Sequence, residues 1–228
     1  MPLPVRRHTE VLRETTRFAG RRVLEVGCGA GNLLGWLAKE GATPIGLDPE
    51  LPQLARARAA VPDVPLVAGV GEALPFASGS FDLVLCFNSL HHVPIDRQWR
   101  AVAEAARVLA RGGELLVVEP IPQGPWFELL RPLEDETEVR QEARRVLTAA
   151  AALGLPMARE EVYDSCVVEP DWASARARFL AINPKRAARL AELEPQLERR
   201  FEETGEPVAG GRSFAQPMRL NLLRRNPT

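Results

Sequence analysis

A strand-like segment near the start of the chain runs directly into a glycine-rich turn, and this junction limits the possible folds more than any other feature. Residues 23–32 read VLEVGCGAGN, with glycines at the alternate positions Gly27, Gly29 and Gly31. Glycine adopts the positive backbone angles of tight turns and leaves room for a ligand to contact the main chain. The free N–H groups of a helix that follows such a turn favour an anionic group. The sequence therefore predicts a strand, a turn and a helix, with a ligand bound at the turn.

Short apolar segments alternate with helical segments up to residue 119. The predicted strands are Arg22–Val26, Pro44–Leu47, Leu66–Ala68, Phe81–Phe87 and Glu114–Glu119. The predicted helices are Gly31–Glu40, Glu50–Ala60 and Asp96–Ala110, the last of which ends at Gly112–Gly113. Apolar strands joined by helices are typical of a parallel sheet with helices on both faces and right-handed connections. This pattern predicts an α/β fold with an open, doubly wound sheet.

The chain changes character after residue 119, where prolines and aromatic residues interrupt the alternation. The elements predicted there are a helix at Thr137–Leu153, a strand at Glu161–Val168 and a last strand at Ser213–Arg224. Between these two strands we expect helices that break at Pro184 and Pro195. Residues 121–212 are predicted to form a helical cap over the carboxyl edge of the sheet, where folds of this kind bind ligands. The cap would supply substrate specificity.

Composition and charge narrow the class of protein. With 228 residues, 46% of them hydrophobic, the chain is expected to form one domain over residues 1–228 without a membrane span. The formal net charge of −1 gives the chain no overall positive potential that would attract a polyanion, so a nucleic acid is not an expected partner. The first residues lack the apolar stretch of a signal peptide, and three separated cysteines without a CxxC pattern predict neither disulfides nor a metal site. We therefore expect a cytoplasmic protein with buried free thiols.

An acidic residue, Asp48, ends the second predicted strand, and its carboxylate can accept hydrogen bonds from both hydroxyls of a ribose. The ligand is therefore expected to be a nucleoside derivative. A dinucleotide site has the same strand, turn and acid but is typified by GxGxxG, whereas here the glycines alternate as GxGxG and the next residue is Asn32. The spacing favours a ligand other than NAD, and an NAD(P)-dependent oxidoreductase is kept as an alternative.

Four segments of the chain carry a specific pattern when they are taken together: VLEVGCGAGN, GLDPE, GVGEALPFASGSFDLVLCFNSLHHV and ARGGELLVVEP. In their order and spacing they resemble the class I S-adenosylmethionine-dependent methyltransferases, and in particular the small-molecule group that includes quinone- and biotin-pathway enzymes. They cover residues 20–120, which would form the cofactor-binding core. The resemblance implies a Rossmann-like, seven-stranded sheet with its last strand antiparallel, S-adenosylmethionine as cofactor, and a small or medium organic methyl acceptor as substrate. A non-catalytic S-adenosylmethionine-binding module that serves a partner protein is a further alternative.

The resemblance also implies which residues bind the methionine part of the cofactor. Gly27 and Gly29 would line it, with Cys28 between them as a small packing residue. Glu25 matches the family's acid that reaches toward the cofactor's ammonium group. Asn88, after the fourth strand, would face the methionine or the sulfonium.

On the nucleoside side, the resemblance assigns the ribose hydroxyls to Asp48 and the face of the adenine to Pro49. The backbone of Gly71 and the region of Glu72 would meet the edge of the adenine. The family usually has an aspartate just before the position of Gly71, where it accepts a hydrogen bond from the adenine amino group. This chain has Val70 there, so that contact is expected to be missing.

Four further residues are candidates for the acceptor side. His91 and His92 follow the fourth strand, and either could act as a base near the transferring methyl because histidine titrates near physiological pH. The alternative is that one of them braces the loop below the cofactor. Trp126 and Phe127 follow the fifth strand, and we expect them either to line the substrate pocket or to belong to the core of the cap.

Overall fold

The computed structural model describes residues 3–227, apart from the side chain of Ile182. Its strands are β1 (Arg22–Val26), β2 (Thr43–Asp48), β3 (Leu66–Ala68), β4 (Phe81–Phe87), β5 (Leu109–Pro120), β6 (Met157–Glu169), β7 (Glu206–Val208) and β8 (Gly211–Arg224). Its α-helices are α1 (His8–Thr15), α2 (Asn32–Lys39), α3 (Leu51–Ala60), α4 (Gln98–Val108), α5 (Pro125–Leu130), α6 (Thr137–Ala149), α7 (Trp172–Ile182) and α8 (Ala187–Thr204). Short 3-10 turns occur at Leu90–His92, Ile95–Arg97, Ala150–Leu153 and Pro184–Arg186. Within the described residues, every helix is too short or too polar to cross a membrane.

The described residues divide into two compact units. The large unit comprises 9–119, 139–161 and 219–227, and the small unit comprises 3–8, 120–138 and 162–218. The predicted cofactor core lies in the large unit up to residue 119. Of the residues predicted to form the cap, 139–161 belong to the large unit. The single-domain organisation stays a prediction.

The sheet has the strand order β3-β2-β1-β4-β5-β8-β6, and β7 adds a short antiparallel partner to β8. Strands β1 to β5 pair in parallel along this path. The last strand, β8, runs antiparallel to β5. Backbone hydrogen bonds join Gly113 to Arg225 and Ile121 to Pro217, so the residue numbers rise along β5 while those of its partners on β8 fall. The predicted doubly wound α/β sheet with an antiparallel last strand is therefore confirmed, and the structure adds the short strand β7.

Two predicted boundaries are wrong. Helix α4 ends at Val108 rather than Ala110, and Gly112–Gly113 lies inside β5 instead of ending a helix. Strand β5 begins directly after α4 and shifts its register against β4, since Phe81 pairs with Leu109 and Leu83 pairs with Glu114. Gly112 lies between these two pairs with a φ of 72°, a backbone angle that favours glycine. Pro195 does not break α8. Its helix stays continuous because its apolar face is buried in the small unit, through Leu190, Leu197 and Phe201.

Buried strands form the centre of the large unit. Almost every residue of β1, β4 and the second half of β5 is buried, as the continuous apolar runs of these strands predict. Helices α4 and α6 cover one cluster of this core through Val102, Ala105, Val146 and Leu147. A second cluster joins the turn after β1 to α2 through Cys28 and Leu34. The carboxyl ends of the parallel strands are thus held on a rigid support.

Aromatic side chains form the centre of the small unit. Trp172, Phe179, Phe201 and Phe214 are buried together, and Trp126 packs against them. The distances between ring centroids are 5.1 Å for Phe201–Phe214 and 5.5 Å for Trp126–Phe179, in the range of favourable aromatic pairs. This unit therefore has a hydrophobic core of its own.

The three cysteines are free. Cys28 and Cys86 are buried in the large unit, and burial raises the pKa of each thiol to about 12. Cys166 lies on β6 in the small unit and is exposed. The expectation of buried thiols therefore holds for two of the three.

A buried carboxylate, Glu114, joins distant parts of the large unit. It accepts hydrogen bonds from the Thr16 hydroxyl at 2.6 Å, from Arg21 at 2.6 Å and from Arg224 at 2.9 Å. Burial opposes the charged form, but these three donors outweigh it and lower the pKa of Glu114. Glu114 thereby fixes the segment before β1 and the end of β8 to β5.

Replacing Glu114 should destabilise the large unit. We expect Glu114→Ala to lower the free energy of unfolding by about 2–3 kcal/mol at pH 7, because it leaves two arginines without their shared partner. Since the folded-state pKa is lowered, the stabilisation is present above the ordinary pKa of 4.5 and is lost as the pH falls through the lowered value. Urea unfolding at pH 7 and in acid measures both effects.

The matched control is Glu142→Ala. It removes the ion pair between Glu142 and Arg145 on the surface of α6, and it should change the free energy of unfolding little. Equal losses for the two variants would contradict the role given to Glu114.

Candidate functional site

The ten residues predicted to bind the cofactor all lie in the large unit, at or just beyond the carboxyl ends of β1 to β4. In open α/β sheets the crevice outside these strand ends is where ligands bind. The residues are Glu25, Gly27, Cys28, Gly29, Asp48, Pro49, Val70, Gly71, Glu72 and Asn88. The structure therefore brings the predicted set to one edge of one sheet.

The glycines of the turn after β1 are required for different reasons. Gly27, Gly29 and Gly31 have φ angles of 75°, 52° and 81°, in the region that favours glycine. A side chain at Gly27 would overlap the side chain of Ser89, whose hydroxyl donates to the Val26 carbonyl at 2.6 Å. At Gly29 the space where a side chain would begin is open. The turn is thus packed on one side by the loop after β4 and is free on the other side for a ligand.

Asp48 connects this turn to the start of α3. Its Oδ2 accepts a hydrogen bond from the Gly29 N–H at 2.8 Å, and its Oδ1 accepts one from the Glu50 N–H at 2.9 Å. Each carboxylate oxygen can accept a second hydrogen bond. Asp48 therefore presents two positioned acceptors next to the open side of the turn.

Glu25 is a buried acid that lacks a partner for one oxygen. The residue is 3% exposed, and within residues 3–227 its Oε2 has no hydrogen-bond partner. Buried polar atoms are normally paired, so an unpaired one requires an explanation. Burial raises the pKa of Glu25 well above its usual value, and the nearby charge of Asp48 raises it further. A cation bound beside Glu25 would remove both costs.

The residues beyond Asp48 present a mainly apolar surface. Pro49 is exposed, and Val70 is 38% exposed. Gly71 is buried next to Val26. Glu72 is buried, and its carboxylate accepts a hydrogen bond from Arg97 at 3.2 Å. The Glu72 side chain is thus already engaged with a residue of the chain.

Asn88 has an unusual backbone. Its φ is 51°, the single positive value at a non-glycine residue in the described part of the chain. Asparagine tolerates this conformation better than most residues, and such strain is often found at functional sites. The backbone N–H of Asn88 donates to Val118 on β5, and the residue is exposed at the end of β4. Its position suits the predicted contact with a ligand.

Glu119, which was not among the predicted site residues, fixes the loop after β4. One of its oxygens accepts hydrogen bonds from the N–H groups of Ser89 at 3.1 Å and Leu90 at 2.8 Å, and the other contacts His91 Nδ1. His91 is buried, whereas the adjacent His92 is exposed. This geometry favours the bracing role for His91. The feature of the sequence that could have indicated this role is the single acidic residue in the apolar run LLVVEP.

Trp126 and Phe127 lie on α5 in the small unit. Trp126 is half-buried against Phe179 and Phe214, and Phe127 is 3% exposed. These contacts favour the core of the small unit for Trp126, and Phe127 is buried beside it in the sequence. A contact of either residue with a substrate stays a prediction.

Known proteins are similar to this chain in sequence and in fold. A model of the methyltransferase domain matches residues 24–117. The 27-O-demethylrifamycin SV methyltransferase of Amycolatopsis mediterranei is 31% identical over 216 residues, which cover 84% of this chain and 75% of that protein. An uncharacterized methyltransferase of Synechocystis is 36% identical over 108 residues, which cover 47% of this chain and 51% of that protein, so the match spans about half the length of this relative. The solved YcgJ protein of Bacillus subtilis has 23% identity and a TM-score of 0.67 over 96% of this chain and 97% of that protein, a likeness in fold.

The long match to the rifamycin enzyme, on a Rossmann-like fold, identifies the class of protein as the methyltransferases. The chain belongs to the class I S-adenosylmethionine-dependent methyltransferase family, and its cofactor is S-adenosylmethionine. The residues present fit this cofactor. The unpaired carboxylate oxygen of Glu25 suits its ammonium group, and the free acceptor capacity of Asp48 suits its ribose. The resemblance seen in the sequence is confirmed.

Neutralising Glu25 should stabilise the ligand-free protein while weakening cofactor binding. A raised pKa means that the folded ligand-free protein loses stability as the pH rises above the ordinary value of 4.5. Glu25→Gln removes this loss, and we expect a gain of about 1–2 kcal/mol at pH 8 together with a loss of about 1.5–3 kcal/mol in binding S-adenosylhomocysteine. Urea unfolding and calorimetry measure the two effects. A variant less stable than the parent at pH 8 would show that the carboxylate is already paired.

The bracing role of His91 predicts unequal effects for the two adjacent histidines. His91→Ala should lower the free energy of unfolding by about 1–3 kcal/mol, because it removes a buried partner of Glu119. His92→Ala changes an exposed side chain and should stay within about 0.5 kcal/mol of the parent. Urea unfolding of both variants at pH 7 is the measurement, and similar values for the two would contradict the bracing role.

Proposed function

We propose that this chain is an enzyme that transfers the methyl group of S-adenosylmethionine to an oxygen of a small or medium organic acceptor. One observation carries the proposal: a buried carboxylate with an unpaired oxygen, Glu25, lies near a second carboxylate, Asp48, beside an open glycine turn. This arrangement suits a ligand with a cation at one end and a pair of hydroxyls at the other. S-adenosylmethionine has both groups.

We call the residues proposed to hold the cofactor the cradle: Glu25, the turn around Gly29, Asp48, Pro49 and Asn88. Each of them has a distinct task in this proposal. Glu25 binds the ammonium group, and the open space beside Gly29 admits the methionine chain. Asp48 accepts hydrogen bonds from both ribose hydroxyls, and Pro49 packs on one face of the base. Asn88 faces the methionine or the sulfonium from the end of β4.

The proposed mechanism requires little chemistry from the protein. The cofactor supplies a methyl group on a positively charged sulfur, which makes that carbon electrophilic. The chain aligns the acceptor with the methyl group and excludes water. His92 is the candidate to take the proton of the acceptor because it is exposed beside the loop, whereas His91 Nδ1 is engaged by Glu119.

The choice of oxygen as acceptor atom rests on the relative from Amycolatopsis mediterranei, which matches 84% of this chain. The name of that enzyme, 27-O-demethylrifamycin SV methyltransferase, states that it acts on a compound that lacks an O-methyl group, and it is 31% identical to 84% of this chain. A hydroxylated metabolite is therefore the first acceptor class to test. A cytoplasmic location is part of the proposal, since three free cysteines suit a reducing compartment.

Labelled S-adenosylmethionine tests the proposal with three proteins. The parent should transfer label to a member of a pool of hydroxylated metabolites. Asp48→Ala should weaken binding of S-adenosylhomocysteine by about 1.5–3 kcal/mol in calorimetry because charge-assisted hydrogen bonds are lost. Asp63→Ala, a change at an exposed acid after α3, should leave affinity unchanged.

The outcomes separate the alternatives. Binding without transfer to hydroxyl, amine or thiol pools would indicate a non-catalytic binding module. Binding of NAD(P) in place of the adenosyl ligand would indicate an oxidoreductase. Unchanged affinity in Asp48→Ala would remove the ribose assignment.

A further inference from the structure

Two arginines of the large unit, Arg144 on α6 and Arg219 on β8, face the same carboxylate. The ion-pair distances are 3.8 Å from Arg144 Nη2 to Glu160 Oε1 and 3.8 Å from Arg219 Nε to Glu160 Oε2. Both distances are longer than a hydrogen bond. Glu160 accepts a hydrogen bond from Asn221 Nδ2 instead, at 3.0 Å. One carboxylate therefore serves two guanidinium groups without a hydrogen bond to either.

Arg219 is mostly buried and lacks an acceptor. Its side chain is 16% exposed, and its Nε is buried without a hydrogen-bond partner among residues 3–227. Buried polar atoms are normally paired, and a buried charge without a hydrogen-bonded partner is costly. Burial lowers the pKa of Arg219, the charge of Arg144 lowers it further, and Glu160 offsets these effects only in part. The arginine pair therefore has capacity for a further negative charge.

An open groove along α6 gives a ligand access to this pair. Its volume is about 660 Å³, and it is lined by Gln141, Arg144, Arg145, Thr148 and Ala149. Sites for small molecules typically have volumes of roughly 300–1,000 Å³. Arg145 is already paired with Glu142, whereas Arg144 has only the distant carboxylate of Glu160. Arg144 thus connects the groove to the buried Arg219.

We propose that Arg144 and Arg219 form a binding site for a phosphate group in the groove along α6. A guanidinium group offers parallel N–H donors that match phosphate oxygens, and two of them match the two negative charges of a phosphate. Glu160 holds the pair together when the groove is empty and competes with the phosphate. The site is separate from the cradle, because the cradle lies at the carboxyl ends of β1 to β4 and Glu160 lies near the amino end of β6. Free phosphate and the phosphate group of a small metabolite share this chemistry.

Calorimetry of the full chain with inorganic phosphate at low ionic strength tests the inference. The parent should bind with a dissociation constant below about 10 mM. Arg219→Gln and Arg144→Gln should each weaken binding by about tenfold or more, because each removes a charged donor. Glu160→Gln should strengthen binding by about threefold or more, because it removes the competing charge. The matched control is Arg189→Gln, which breaks a surface ion pair with Glu192 on α8 and should leave binding unchanged.

The melting temperature of each variant checks that it is folded, and Arg144, which is exposed, provides a second variant if Arg219→Gln unfolds the chain. A dissociation constant well above about 10 mM for the parent would overturn the inference. Equal binding by the parent and both arginine variants, or the same response to chloride at equal ionic strength, would indicate an adventitious ion only and would also overturn it.

A comparison with glycerol phosphate separates the two sources of the ligand. Tighter binding of the ester than of inorganic phosphate would identify a phosphorylated metabolite, and equal or weaker binding would identify free phosphate; both results support the site. Calorimetry with S-adenosylhomocysteine tests the proposed function separately. Failure of either proposal therefore leaves the other standing.

Discussion

The geometry of the site depends on one close approach, between Gly27 in the turn after β1 and Ser89 in the loop after β4. No side chain fits at position 27 because Ser89 fills the space. Ser89 is held at both ends, since its hydroxyl donates to the Val26 carbonyl and its N–H donates to Glu119. Three adjacent strands, β1, β4 and β5, are therefore joined at their carboxyl ends. Contacts within the chain thus hold the turn in shape, and a preorganised turn reduces the entropy that binding must overcome.

The same edge of the sheet holds two carboxylates, Glu25 and Asp48, close together, and this lowers the stability of the folded protein. The charge of Asp48 opposes ionisation of Glu25, and burial opposes it more strongly. Asp48 reduces its own cost through two backbone donors, whereas one oxygen of Glu25 has none among the described residues. A protein selected for stability alone would carry a neutral residue at position 25. In the proposed function a positively charged ligand would offset this cost, and binding sites commonly trade stability for binding.

The sequence predicted the central fold well because burial decides it. The bounds of β1 and β4 agree with their apolar runs, since strands buried on both faces need apolar residues throughout. The errors occur where tertiary contacts override local preference. Gly112 lies inside a strand instead of ending a helix, and Pro195 is tolerated because its helix is anchored by buried leucines and Phe201. Helix α1 and strand β7 were not predicted, since neither has a long apolar pattern.

For the site, the sequence identified residue types but not their contacts. The glycine motif and Asp48 were visible as a pattern, and the structure gathers them at one edge. The role of Glu119 was not visible, because it depends on Ser89, Leu90 and His91, which lie about 30 residues earlier in the chain. Nor could the sequence show that Arg97 engages Glu72. Contacts between distant segments follow from packing, and local patterns do not encode them.

The unequal environments of the three cysteines give the molecule a natural labelling site. A thiol reacts as its thiolate, and a pKa of about 12 leaves almost no thiolate on Cys28 or Cys86 at neutral pH. Cys166 is exposed on β6. A maleimide fluorophore added to the unmodified chain would thus attach at one position in the small unit, while the cofactor cradle lies in the large unit. Fluorescence from this position would follow the surroundings of the small unit without any engineered cysteine and without a dye in the cradle.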